Sequence, residues 1–561
     1  MKNIKPERQA FFERYKELYH AAKEVHSEVC SELEVHMRQY LGSYEIDNSS
    51  ERATTVRNVT YEVIESQIDP DIPYPKAEPE IYTEKGERCA HAIERLCRTV
   101  RERLPFESLN DLDERYTYIY GGSIWYVEWD NPTESTTVHC LSPLSFIPQP
   151  GLTEIGDMEY CFLRFTTTRS ELMRKYGITA EQSQLALCEF EYDGSFGSDT
   201  VSLVVCFYRD EDGEVGRVIF SGELLLSDTP KYYKRKRTVC KKCGLSLSEC
   251  RCDSPDFQVV EEELETITDA AGRDVLIPYY TPKDFPIVIR KNTSAEREIL
   301  GNSDCAMIRP QQQAINKIES RILKKLLRAG VTPIMPEDST VTLTNAVFGQ
   351  VIKMRAGESA DNYSVIDTTP DVSQDIEEAN RLYDQAKRVL GISDALQGTD
   401  SLSTESGYAR ELKIAQASSR LESKKRMKYL AYSEIYRLIF QHYLAFSDQA
   451  RPLYYLDPTG EEHLTEFNRR DFVEGDGYGG LYYSDYYLFS VDLNSGSEYQ
   501  REALWERNLA NLQSGTLGDK TLPSTLLLYW QSQERAHYPY ARENVEYFKS
   551  LIKKGSENDG Q

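Results

Sequence analysis

An α+β fold is predicted by three features of the sequence: two amphipathic helical stretches bracketing a short β-rich insert, strand-like segments from Tyr116 onward, and a helical C-terminal end. In the first stretch, IRPQQQAINKIESRILKKLLRAG, Ile315, Ile318, Ile322 and Leu326 recur at three- and four-residue steps with Leu323 and Leu327 beside them. Its other side carries Lys317, Arg321, Lys324, Lys325 and Arg328, and Gly330 stands where a helix C-terminus often places a left-handed residue. The second stretch, DVSQDIEEANRLYDQAKRVLG, repeats the pattern through Val372, Ile376, Ala379, Tyr383, Ala386 and Leu390 and stops at Gly391. It opens on acidic residues, which suit the positive end of a helix. At 1.5 Å per residue each helix is roughly 30 Å long. Between them Val341–Leu343, Val351–Met354 and Tyr363–Ile366 read as short strands separated by turn clusters.

Taken from the start, residues 1–45 form a polar, heptad-like helix with Phe11, Phe12, Tyr15, Leu18, Tyr19 and Ala22 on one face. Val25, Val29, Leu33 and Met37 continue that stripe, which needs a partner, while His26 and His36 are expected at the surface. DPDIPYPKAEPE is an extended connection, and helix resumes near Glu84 to Leu104. From Tyr116 the segments YTYIYGGSIWYVEWD, TTVHCLSPLSFIPQPG and EYCFLRFTTTRSELMRKYG are expected to be strands. Asp212-Gly213 marks a hairpin between Val201–Tyr208 and Val215–Ser221, and Ala271-Gly272 a second one. Beyond Phe446, a tyrosine-rich region of hairpins and loops leads into C-terminal helices.

The most distinctive chemistry lies in KYYKRKRTVCKKCGLSLSECRCDSPD. Cys240 and Cys243 form C-x-x-C-G, and Cys250 and Cys252 follow as C-x-C. Four thiolates this close suit tetrahedral Zn²⁺, because a loop so short cannot bury a core without a staple. A redox pair is the competing reading of the same residues. Lys231, Lys234, Arg235, Lys236, Arg237, Lys241 and Lys242 surround Tyr232 and Tyr233, and an acidic block, Glu261 to Glu265, follows the basic one. Such a basic segment can touch nucleic acid, but a solvated or protein-facing loop is the commoner outcome.

Composition sets the limits. A chain of 561 residues exceeds one compact core, so several substructures are expected. No apolar run approaches the ~20 residues of a membrane span, and the N-terminal residues lack the apolar centre of a signal peptide, so a cytosolic protein is expected. The net charge of −25 argues against general nucleic-acid binding, which needs clustered cations to release counterions. No P-loop, H-E-x-x-H or G-x-S-x-G motif occurs, the eight histidines do not cluster, and no enzyme activity is expected.

Residues 392–446 hold a polar loop around Leu396, Gln397 and Gly398, then Ser406-Gly407-Tyr408-Ala409-Arg410, then AQASSRLESKKR opening a long helix. With the two amphipathic stretches before it, this order resembles the portal proteins (head-tail connectors) of tailed bacteriophages over residues 285–447, about a third of the chain. Gly121, Gly122, Trp125, Trp129 and Pro148 match the wing of that family. The resemblance implies a mixed wing at 1–303 with the four-cysteine insertion at 231–253, and stem helices at 304–330 and 371–391 around a β clip at 331–370. It further implies a tunnel loop at 392–404 that includes Gln397, Gly398, Thr399, Asp400 and Ser401, a long kinked helix at 405–450 and a C-terminal wing and crown at 451–561. It implies a ring, dodecameric by expectation, at one capsid vertex of the virion, assembled in the host cytoplasm. Double-stranded DNA would pass through the ring, with terminase large subunit, head-tail adaptor, scaffold and major capsid protein as partners. Lys317, Arg321, Lys324, Lys325 and Arg328 would then face the channel. Two other classes stay open: a zinc-knuckle nucleic-acid-binding or regulatory protein leaning on residues 231–253, and a hydrolase with an unrecognised carboxylate site.

Overall fold

The N-terminal stripe finds its partner in the computed structural model. This structure describes residues 6–43, 57–131, 133–187, 199–243, 251–252, 257–268, 273–328, 331–334, 342–346, 349–353, 364–367, 370–392, 407–456, 462–475, 480–492, 498–535, 538, 541, 544–545, 547–549 and 551–552. Helix accounts for 50% and strand for 24%, which makes the chain α+β. It divides into two compact units, one of Met1–Glu34, Ile68–Ser303 and Leu421–Gln561, the other of Val35–Gln67 and Asp304–Arg420.

In the first unit, Phe12, Tyr15, Tyr19 and Ala22 of the Pro6–Tyr40 helix pack on Ile147, Phe162, Val204, Cys206, Val218 and Phe220. Those residues line one face of a five-stranded antiparallel sheet running Phe146–Pro148, Tyr160–Thr168, Thr200–Arg209, Val215–Ser221 and Leu224–Thr229 in sequence order. The stripe departs from its expected course further along. Val25 and Val29 are 65% and 43% exposed, whereas His26 and His36, expected at the surface, are 9% and 5% exposed. The reason is geometric: three- and four-residue steps from Tyr19 and Ala22 reach His26, Leu33, His36 and Tyr40. The two histidines hold positions that an apolar pattern assigns to their neighbours. Burial lowers the His26 imidazole to about 4, with Arg164 adding to the shift.

A second correction concerns Tyr116–Tyr120, expected as a strand but forming the last turn of a Phe106–Tyr120 helix. The inward face of this helix is Asn110, Asp113, Glu114 and Thr117, so its helical period is written in polar residues and escapes a hydrophobicity reading. Gly121 ends it at φ +88, and a Cβ there would lie 2.0 Å from the Gly301 carbonyl oxygen. Strand Gly122–Asp130 then sits between Ile287–Lys291 and Ser135–Leu141. The expected Tyr160-to-Gly177 strand ends at Thr168, whose side chain caps an Arg169–Tyr176 helix closed by Gly177 at φ +64.

The polar face of Phe106–Tyr120 meets a buried charge cluster. Arg290, 1% exposed, donates through Nη1 to Asp113 and to Glu114 Oε1 at 2.7 Å. Lys428 lies 3.2 Å from Glu114 and donates to the carbonyls of Asp69 (3.0 Å) and Asp71 (2.7 Å). Ser123 and Trp125 Nε1 also donate to Asp113, the latter at 2.8 Å. Burial alone would raise the Glu114 carboxyl, but Arg290 and Lys428 outweigh it and hold it below its ordinary value. The aromatic core beside this cluster includes Trp125, Trp129, Tyr432, Tyr436, Phe440 and Tyr443.

In the second unit, helices Asp304–Arg328 and Ser373–Leu390 pack together. Ile308 and Ile315 meet Ala386 and Leu390 in a small core with Val59 and Val63, while Arg321 and Lys325 reach Asp375 at the other end, so the pair is antiparallel. Gly391 closes the second helix at φ 77, and Gly330 lies outside the described residues. Between the helices, Val331–Ile334 pairs with Ser364–Asp367 and Thr342–Ala346 with Gly349–Lys353, both antiparallel. Val331–Ile334 was not among the expected strands; in a two-stranded ribbon every strand is an edge, where a proline such as Pro333 is tolerated.

Candidate metal centre and basic helix face

Strand Arg235–Cys240 pairs antiparallel with Phe257–Glu262, in a register that sets Cys240 opposite Phe257, Lys236 opposite Glu261 and Arg235 opposite Glu262. The residues expected to form one hairpin, Val259 to Pro282, are thus divided. Phe257–Glu262 joins the cysteine ribbon, and Leu264–Thr268 pairs with Asp274–Pro278. Cys240 ends its strand with a buried thiol, Cys243 follows in an exposed turn, and Cys252 returns half-buried.

Cys240 Sγ and Cys252 Sγ are 4.0 Å apart, and the three sulfur atoms of Cys240, Cys243 and Cys252 all lie within 4.8 Å of one another. A disulfide would bring two sulfurs to about 2.05 Å. Sulfurs on a tetrahedral zinc with bonds of about 2.3 Å would sit roughly 3.8 Å apart. The observed spacing fits three thiolates around a metal ion, and Cys250, the expected fourth, lies outside the described residues.

Three cations of the basic run, Lys231, Lys234 and Arg235, are turned toward the protein. Lys231 pairs with Glu214 at 3.4 Å, and Lys234 with Glu263 at 3.1 Å and Glu214 at 3.5 Å. Arg235 pairs with Asp448 and donates from Nε to the Ala445 carbonyl (2.8 Å) and from Nη2 to that of Ser447 (3.3 Å), at the end of the Gly407–Phe446 helix. Tyr232 and Tyr233 are buried, and Tyr233 donates to the Asp284 carbonyl at 2.9 Å. Lys241 and Lys242 are exposed in the turn. Lys231, Lys234 and Arg235 each have a nearby carboxylate, which removes much of the field a nucleic-acid phosphate would feel.

On the Asp304–Arg328 helix the structure divides the five expected cations. Lys317 is exposed and Lys324 half-buried. Arg321 and Lys325 each donate to Asp375 at 2.5 Å. The hydrogen bond from Lys325, together with Arg321, holds the Asp375 carboxyl below its ordinary value. Arg328 ends the helix, and its side chain lies outside the described residues, as do Gln397, Gly398, Thr399, Asp400 and Ser401. Leu326 and Ile376 remain exposed near the Asp375 end of the pair.

Sequence reasoning missed the Asp113, Glu114, Arg290 and Lys428 cluster. Its members come from three distant stretches, and the available signal was the polar face of the Phe106–Tyr120 helix. Compared with known proteins, the chain matches no family model. No curated protein matches it either.

Proposed function

We propose that this chain is the subunit of a portal ring, the passage through which viral DNA is packaged and ejected. The observation that carries the reading is the antiparallel pair Asp304–Arg328 and Ser373–Leu390, tipped by short β ribbons and followed by the 40-residue helix Gly407–Phe446. That succession matches the stem, clip and long helix implied by the resemblance of residues 285–447. One end of the pair is packed within its own unit through Ile308, Ile315, Ala386 and Leu390. Leu326 and Ile376 are left for a neighbouring copy to cover, while Lys317 and the polar side face the passage. The chain's strong negative charge would let DNA slide without adhering. In this reading the ribbons at the tip dock the terminase large subunit during packaging and the head-tail adaptor afterwards, and scaffold and major capsid protein meet the wing and crown.

The cysteine cluster is proposed as a structural zinc site held by Cys240, Cys243, Cys250 and Cys252. Zinc would staple the end of a ribbon too small to close itself; it is given no part in a reaction. Mass photometry of the purified chain tests the ring. Particles near about twelve times the 64.5 kDa subunit mass support it, and a monomer at every salt and protein concentration, with and without scaffold protein, overturns it. Zinc measured by mass spectrometry at one per chain supports the metal assignment, and zinc below about a tenth of that refutes it.

A further inference from the structure

The described cysteines differ sharply in their surroundings. Cys89, Cys97, Cys161, Cys206 and Cys305 are buried, and Cys30 and Cys140 are half-buried. Burial pushes the thiols of Cys30 and Cys140 up, which keeps them protonated and slow to react. Cys243 is the exposed one among the described residues, and it stands within 4.8 Å, sulfur to sulfur, of both Cys240 and Cys252. Among the described cysteines, an oxidant arriving from solvent therefore meets first a thiol that already has two resolving thiols within reach. Cys240 is anchored at the end of a paired strand, whereas Cys252 sits outside any strand or helix and is half-buried, so less backbone has to yield for Cys252 to close on Cys243.

We propose that this cluster is a hydroperoxide-responsive site in which Cys243 is oxidised first and Cys252 resolves it, taking two donors away from any metal held there. The inference rests on the thiol cluster assigned above to zinc, and it reaches beyond that assignment to the oxidation chemistry of its members. In the first step the Cys243 thiolate attacks one peroxide oxygen, the O–O bond breaks, Cys243 becomes the sulfenic acid and hydroxide leaves. In the second, the Cys252 thiolate attacks the Cys243 sulfur, the S–O bond breaks, a disulfide forms and a second hydroxide leaves. Two electrons pass from the two sulfurs to one peroxide, which supplies both leaving oxygens. A disulfide of about 2.05 Å cannot keep the three-sulfur spacing seen here, so the tip of the ribbon must rearrange when it forms. A thiol reductant reverses the change.

The test uses the full-length chain as purified, exposed to hydrogen peroxide at a few equivalents, alkylated and mapped by peptide mass spectrometry, with a chromophoric chelator reporting zinc. The expected product is a Cys243–Cys252 cross-link, formed before any other cysteine is modified. Zinc release should keep pace with it, and dithiothreitol should restore the capacity to bind zinc. In Cys243→Ser the cross-link is absent, and oxidation of Cys252 slows by about tenfold, as expected when the accessible thiol is removed. Cys30→Ser, at a half-buried site elsewhere, should behave as the parent. Three outcomes overturn the inference: oxygen adducts on Cys243 without a cross-link, equal rates in Cys243→Ser and the parent, or first modification at Cys30 or Cys140. A purified protein without zinc that still forms the cross-link removes the metal assignment and leaves the oxidation site standing. Zinc retained through peroxide treatment, with the thiols intact, does the reverse.

Discussion

Replacing Arg290 by methionine strikes a buried cation at the centre of the charge cluster in the first unit. The guanidinium is 1% exposed and faces two carboxylates, Asp113 and Glu114, that are 0% exposed. Methionine keeps much of the volume but leaves Lys428 as the remaining cation of the cluster near Glu114, with Ser123 and Trp125 the donors to Asp113. Breaking a buried ion pair from one side costs roughly 3–5 kcal/mol, because the stranded partner keeps its desolvation penalty. Urea unfolding at pH 8 should show a loss of that size. Trp125, whose Nε1 donates to Asp113, places a fluorescent reporter inside the cluster. The pH dependence gives the diagnostic sign. Without Arg290 the buried Glu114 carboxyl loses the stronger of the two cations that hold it low, so burial raises its folded-state value, and the penalty grows as pH rises and is relieved as this carboxyl protonates. The variant should therefore lie closer to the parent at pH 5 than at pH 8. A loss below about 1 kcal/mol at pH 8, the size expected of an exposed pair, would refute the reasoning.

Three further outcomes follow from the structure. Gly121→Ala combines a positive φ with a Cβ 2.0 Å from the Gly301 carbonyl, and should cost at least about 1–3 kcal/mol in thermal or urea unfolding, whereas Gly213→Ala, with nothing near its Cβ, should cost less. Asp375→Asn removes the carboxylate shared by Arg321 and Lys325, so amide exchange near residues 318–328 and 373–378 should quicken. The parent should show the same change in acid, because a carboxyl held low in the folded state stabilises above its unfolded value near 3.9 and loses that contribution as pH falls through the lower folded one. His442 is buried against Tyr233 and Phe446 with its Nδ1 2.7 Å from the Leu438 carbonyl, and burial lowers it to about 4. Folding with a neutral imidazole should then lose roughly 3 kcal/mol as pH drops from 6.5 to 4, and His442→Gln should flatten that part of the stability profile.

The helix pair was legible because its apolar residues repeat at helical spacing and Gly391 supplies a stop that the backbone uses at φ 77. Cys240, Cys243 and Cys252 were legible for a similar reason: the ligands are close in sequence, so proximity in space needs little tertiary information. Where the inward face is polar the same reading fails, as at Asn110, Asp113, Glu114 and Thr117, and again at His26 and His36. The charge cluster was hidden more deeply, since Arg290 and Lys428 reach Glu114 from separate stretches of chain and neither carries a local pattern.

The backbone ladder that sets Cys240 opposite Phe257 fixes where the cysteine ribbon stops. Sliding a strand by a single residue sends every side chain to the other face. Such a slip would turn Cys240 away from Cys243 and Cys252. The register therefore acts as a ruler, measuring out where the first sulfur must stop so that the other two can find it.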